Sequence, residues 1–191
     1  MLKDLIQNSR SVRRFYGDRK IEEGQLTRLV DLARLTPSGA NKQPLKYIIV
    51  CSDTMNEEVY KTLGWAGYYT EWDGPIPSER PTGYIVILRD NNITKAMTFD
   101  EGIAAQTIFL GAREMGIGGC FIGNLKRSEL RKVLDISEDY EISLVIALGY
   151  QKEEVVIDEI EKGMDIKYWR DDNEVHHVPK RKLEDIIIKV L

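Results

Sequence analysis

An α+β or three-layer α/β domain is the fold class this sequence predicts, on three observations. Helical patterns outnumber strand patterns, the strands are short single apolar runs, and one long helical pattern is apolar around much of its girth. A chain of 191 residues holds one sizeable core and is too short for two ordinary domains. Residues 1–191 are therefore read as a single domain.

The elements follow in chain order. Residues 22–35 carry Leu26, Leu29, Val30 and Ala33 at the i, i+3, i+4, i+7 spacing of a helix with one buried stripe, and the pattern stops before Pro37. Tyr47, Ile48, Ile49, Val50 and Cys51 read as a short buried strand, and Ser52 or Asp53 offers a cap for a helix through Leu63. A second strand spans 83–88; between the two, residues 64–81, rich in Trp, Tyr, Gly and Pro, read as a long ordered loop or lid. The longest helical pattern, 95–115, puts Ala104, Ile108, Ala112 and Met115 on one face with Phe99, Ile103 and Leu110 beside it. So wide an apolar girth calls for burial on more than one side, inside the domain or at a subunit contact. A strand at 119–122, an amphipathic helix at 128–134 and a strand at 143–148 follow. The acidic run 153–161 reads as a solvated face, and 176–182 as an extended basic segment. Residues 172–191 form a polar tail suited to contact with a partner subunit.

Composition excludes several functions. A 42% hydrophobic and 30% charged chain is ordinary for a folded soluble protein, and a net charge of −4 argues against a general nucleic-acid binder. No apolar run approaches the roughly 20 residues of a spanning helix, and Lys3, Asp4 and Arg10 interrupt any signal-peptide core, so a cytoplasmic location without membrane contact is expected. Cys51 and Cys120 lie far apart and read as reduced thiols rather than a metal or dithiol motif. The adjacent His176 and His177 point to opposite sides of an extended segment and lack a partner at ligand spacing, so no metal is expected; one of them is placed near Lys180. The glycines at 116–123 follow a helix and have Phe121 where a final glycine is needed, which rejects a Rossmann nucleotide site.

Three polar clusters stand apart from the periodic pattern. Ser9, Arg10, Ser11, Arg13 and Arg14 gather guanidinium forks and hydroxyls suited to a phosphate, or to capping the carbonyls of a helix end. Pro37, Ser38, Gly39, Asn41 and Gln43 combine a permissive backbone with amides that match a heteroaromatic edge, or form an ordinary turn. Gly118 to Asn124 is a strand with glycines at both ends, offering exposed N–H donors or close backbone packing.

These clusters, in this order and closed by Pro179, Lys180, Arg181, Lys182, Leu183 and Glu184, resemble the FMN-dependent nitroreductase family nearly end to end. The resemblance implies an α+β, nitroreductase-like three-layer fold, with a central, mostly antiparallel sheet flanked by helices and an intertwined homodimer holding FMN at its interface. It implies that Arg10, Ser11 and Arg13, with Lys180 and Arg181, hold the FMN phosphate and ribityl chain. Pro37, Ser38, Gly39, Asn41 and Gln43 then line the flavin from the partner subunit, and the backbone of Ile122, Gly123 and Asn124 faces the ring, one N–H directed at N5. Trp65 and Tyr68 are the substrate-side candidates. Ser9 stands where the family often has a second arginine, and Leu45 where it commonly has tryptophan. The implied activity is ping-pong transfer of hydride from NADH or NADPH through FMN to a nitroaromatic, quinone or similar acceptor, with no obligatory catalytic side chain. The alternatives are a flavin-binding or sensory protein without turnover, and a dehalogenase-like or flavin-consuming branch of the same fold.

Overall fold

The computed structural model describes residues 2–96 and 98–191. Its helices are α1 (Leu2–Asn8), α2 (Glu23–Arg34), α3 (Asp53–Tyr60), α4 (Asp100–Glu114), α5 (Arg127–Val133) and α6 (Leu183–Ile186). Its strands are β1 (Leu45–Val50), β2 (Gly83–Asp90), β3 (Ile117–Ile122), β4 (Tyr140–Tyr150), β5 (Val155–Ile160), β6 (Trp169–Arg170) and β7 (His176–Arg181). The first four strands form one antiparallel sheet in the order β1-β2-β4-β3.

Strand alternation sorts that sheet into two faces. Ile85, Ile87, Ile117, Ile146 and Leu148 pack against α2 and α4, whereas Tyr84, Val86, Leu88, Cys120, Val145 and Ala147 pack toward α3 and α5. The result is the expected three-layer α+β fold, its central sheet buried on both sides, which is why its strands read as unbroken apolar runs. No helix among the described residues is long and apolar enough to cross a membrane.

Local chemistry sets the helix starts. The Glu22 N–H donates to Gln25 Oε1 at 3.0 Å, and Ser52 Oγ accepts from the Met55 N–H at 3.4 Å. The expected helix over 95–115 begins instead at Asp100, and Met97 lies outside the described residues. Thr98 donates to Glu101 through its N–H and hydroxyl, at 3.2 and 2.8 Å, and Glu101 also pairs with the buried Arg89 at 3.1 Å. That box anchors the first turn. The far side of α4 leaves Phe99 88% and Ile103 38% exposed, so its apolar girth is only partly covered within one chain.

The acidic run is a solvated face only in part: Glu154, Glu159 and Glu161 are exposed, but the segment is a strand and Glu153 is buried. Residues Val155–Ile160 form β5, paired in parallel with β7, while β6 pairs antiparallel with β7 on its other side. Glu153 is buried, taking hydrogen bonds from the Arg13 and Arg14 N–H groups and from the Arg170 guanidinium. Interleaved Val155, Val156, Ile157 and Ile160 supply strand-forming residues, and the cations neutralise the buried acid. A Phe15–Gln151 bridge and the Lys152 N–H to Arg14 carbonyl bond, 3.0 Å, join this C-terminal sheet to the N-terminal segment.

Candidate functional site

The segment after α1 runs beside the glycine-rich strand. The Val12 N–H donates to the Gly119 carbonyl at 2.7 Å, and Ser11 bridges Gly119 in parallel. Glycines allow this packing, because a Cβ on Gly118 would stand 3.2 Å from Val12 Cγ2 and one on Gly119 would stand 2.8 Å from the Ala147 carbonyl oxygen and 2.9 Å from Phe109. Ser9, Arg10, Phe109, Arg113 and Gly118 with Gly119 line a small cavity there. Arg10 caps the Ile6 carbonyl through Nη2 at 2.8 Å, as a helix-end cation would. Its Nε, like Ser9 Oγ and Arg13 Nε, is buried without a partner among the described residues. Ser9 Oγ and Arg10 Nε, two orphaned donors on the lining of that cavity, fit an anion, since unsatisfied buried donors are costly. Arg113, absent from the sequence reading, brings a further cation to the cavity where Ser9 lacks one; its Nη1 donates to Gln151 Oε1 at 3.2 Å.

Arg13 is 8% exposed and sits on the other side, among aromatic groups. Its Nη1 meets His176 Nε2 at 3.1 Å, and its guanidinium carbon lies 4.6 Å from the Tyr168 ring centre. His176 Nδ1 meets the Tyr69 hydroxyl at 2.5 Å. Burial, reinforced by Arg13 and Arg170, holds the His176 imidazole down at about 3. Its neighbour His177 turns the other way, 2.8 Å from Asp158 and 3.7 Å from Asp171, so carboxylates from other strands and turns do accompany the pair.

The segment 37–44 is built at the start of α4. Buried Asp100 accepts from the Ser38 hydroxyl at 2.5 Å and the Gly39 N–H at 3.1 Å, and Ser38 Oγ accepts from the Gln43 N–H at 2.9 Å. This clamp holds Ala40, Asn41 and Gln43 at φ of 49°, 52° and 50°, a left-handed conformation that costs non-glycine residues energy. Asn41 and Gln43 end exposed, and Pro37 and Ser38 line a cleft of about 210 Å³ with Tyr47. No hydrogen bond joins this loop to Arg10, Ser11 or Arg13 among the described residues.

At the end of β3, Ile122 is core, whereas Gly123 and Asn124 are exposed. The Asn124 carbonyl accepts from the Gly64 N–H at 2.8 Å, bringing residues 64–81 to the strand end. Trp65 stacks on Tyr60, centroids 5.6 Å apart, while Tyr68 is 48% exposed against Tyr168. Tyr68 and Tyr69 border two open grooves of about 630 and 590 Å³. Lys180 and Arg181 lie exposed on β7 opposite Glu159 and Ile160. Lys180 is four residues past His176, roughly 13 Å along a strand, and neither cation bonds to the Arg10 segment among the described residues. One chain thus gathers Arg10, Ser11 and Arg13 at β3, and sets the 37–44 loop and the Lys180 end apart.

Two of the buried groups make stability depend on pH. Arg14, at 2.6 and 2.9 Å, with Lys152 at 2.7 Å, lowers the Glu79 carboxyl to about 2 from 4.5. Between pH 4.5 and 2 the unfolded chain takes up a proton that native Glu79 refuses, and between pH 6.5 and 3 it does so at His176. Both effects lower stability as pH falls. Denaturant midpoints should decline below pH 6.5 and steepen below 4.5. The loss should be on the order of 6 kcal/mol by pH 3, at about 1.4 kcal/mol per unit for each group, and a flat profile would remove the account of both groups.

Comparison with known proteins adds a family pattern. The nitroreductase family profile matches residues 6–150, ending before β5. An Archaeoglobus fulgidus protein, provisionally named an NADH dehydrogenase/NAD(P)H nitroreductase, is 30% identical over 158 residues, 78% of this chain and 85% of its own. A nitroreductase family protein of Streptococcus pneumoniae superposes with a TM-score of 0.72 over 100% of both chains at 16% identity. An FMN-dependent nitroreductase of Clostridium difficile gives 0.66 at 23% identity, over 88% of this chain and 98% of that one.

Proposed function

The chain belongs to the nitroreductase family, and from that premise we propose that it is an oxidoreductase that binds FMN non-covalently. In this reading hydride passes from NADH or NADPH to a small electron-poor acceptor, a nitroaromatic or a quinone. The observation that carries the reading is the pair of buried, unpartnered donors Ser9 Oγ and Arg10 Nε beside Gly118 and Gly119, with Arg13 Nε likewise unpartnered three residues on. The names of the relatives support the nicotinamide donor and the flavin.

Bound flavin supplies the redox chemistry, accepting hydride at N5 and passing electrons onward. Arg10 with Ser11, and Arg113 beside them, would neutralise the phosphate, and Arg13, whose Nε is buried and unpartnered, would donate to the cofactor. The backbone of the exposed Gly123 and Asn124 would face the ring, in open space where even a Cβ on Gly123 would meet nothing within 4 Å. Trp65 and Tyr68 border the acceptor side. Lys180 and Arg181 close on the phosphate once a second copy is in place.

A homodimer completes the site in this reading. Asn41 and Gln43 are presented outward by the Asp100 clamp, away from their own chain's Arg10 segment. Leu2, Ile6, Phe99, Ile103 and Phe121 leave an exposed apolar surface. The test is two-substrate kinetics: double-reciprocal plots for NAD(P)H at several quinone concentrations should be parallel, the mark of a shared site used in turn. Intersecting lines, or no oxidation of either nucleotide, would overturn the proposal.

A further inference from the structure

The contacts around Arg13 close into a ring. The Arg13 N–H donates to Glu153, Glu153 Oε2 accepts from Arg170 Nη2 at 2.8 Å, and the Arg170 guanidinium lies 4.9 Å from the Tyr69 ring centre. The Tyr69 hydroxyl meets His176, and His176 returns to Arg13. Arginine only donates, so His176 Nε2 must accept, and its hydrogen must sit on Nδ1 and point at the Tyr69 oxygen. A single neutral tautomer satisfies both neighbours. Nη1 is thereby committed to His176 while the Tyr168 face supports the guanidinium plane, and the Nε edge is left buried and unpartnered. Removing the imidazole would free a long, rotamer-rich side chain to leave that orientation.

We propose that His176 is the positioning residue of Arg13, holding its Nε edge toward the cofactor and tying it through Tyr69 to the aromatic loop 64–81. The proposal rests on the reading of Arg13 as an FMN ligand, and the experiment separates the two. FMN affinity is measured by flavin fluorescence for the full-length wild type, Arg13→Ala, His176→Phe, His176→Gln and the double variant Arg13→Ala/His176→Phe, with apoprotein melting as a control for folding. Glutamine offers an acceptor to Arg13 and a donor to Tyr69, which phenylalanine does not.

Arg13→Ala and His176→Phe should each weaken FMN by about tenfold or more, the loss typical of a hydrogen bond to a charged group. His176→Gln should bind within about threefold of wild type, and the double variant should match Arg13→Ala within about threefold, because residues acting through one contact are not additive. If His176→Phe does not fold, Tyr69→Phe takes its place, with a smaller weakening that vanishes in the Arg13→Ala background. Full additivity, or unchanged affinity in His176→Phe beside a weakened Arg13→Ala, would overturn the positioning role alone. Unchanged affinity in Arg13→Ala would overturn the ligand reading and the proposal with it.

Discussion

Replacing Glu153 with alanine should destabilise the apoprotein by about 3–5 kcal/mol, the range for removing one partner of a buried ion pair. The side chain is 1% exposed, and its two oxygens serve three donors: the Arg13 and Arg14 N–H groups and the Arg170 guanidinium. Its loss leaves Arg170 as an uncompensated charge beneath the Tyr69 and Trp72 rings, 4.9 and 4.7 Å away. The same change unties the turn that carries Arg13, so FMN affinity should fall in parallel. Urea unfolding followed by circular dichroism measures the first effect; a loss below about 1 kcal/mol would show that Glu153 is a spectator.

Gly119→Val should cost at least about 3 kcal/mol and abolish FMN binding, because overpacking here pushes against backbone. The new Cβ would meet the Ala147 carbonyl oxygen at 2.8 Å and the Leu148 and Phe109 side chains at 2.9 Å, and the carbonyl cannot retreat without moving β4. Gly123→Ala, four residues on, is the contrast. It meets nothing within 4 Å and should change stability by less than about 0.5 kcal/mol, so any effect on flavin binding reports the approach of the ring rather than the fold. Melting curves and flavin titrations of the two variants side by side decide the matter.

The main sheet and its flanking helices were legible because their signals are local. Runs such as Ile85 to Leu88 and the Leu26, Leu29, Ala33 stripe announce burial through neighbours in the chain. Of the C-terminal sheet, β7 was legible as the extended segment 176–182, but β5 was not, because Glu153 beside it reads as solvated and is balanced by partners far away, Arg13 lying 140 residues from it. The alternating Val155, Ile157 and Val156, Ile160 were the available strand signal. At the site, residue types pointed to Arg10, Ser11 and Arg13, but orientation was invisible. Only the fold shows Asp100 clamping a loop 62 residues away and His176 reaching Arg13 across 163. The left-handed conformation was readable at Asn41 and hidden at Ala40 and Gln43, which rarely adopt it.

Bound flavin is the central claim, and an absorption spectrum of the purified protein followed by anaerobic titration with NADH and NADPH tests it most directly. The account predicts a yellow protein, or an apoprotein that takes up added FMN, whose flavin bands bleach with one equivalent of reduced nucleotide and return on addition of a quinone. A colourless protein that ignores FMN, or a bound flavin that neither nucleotide bleaches, would contradict it.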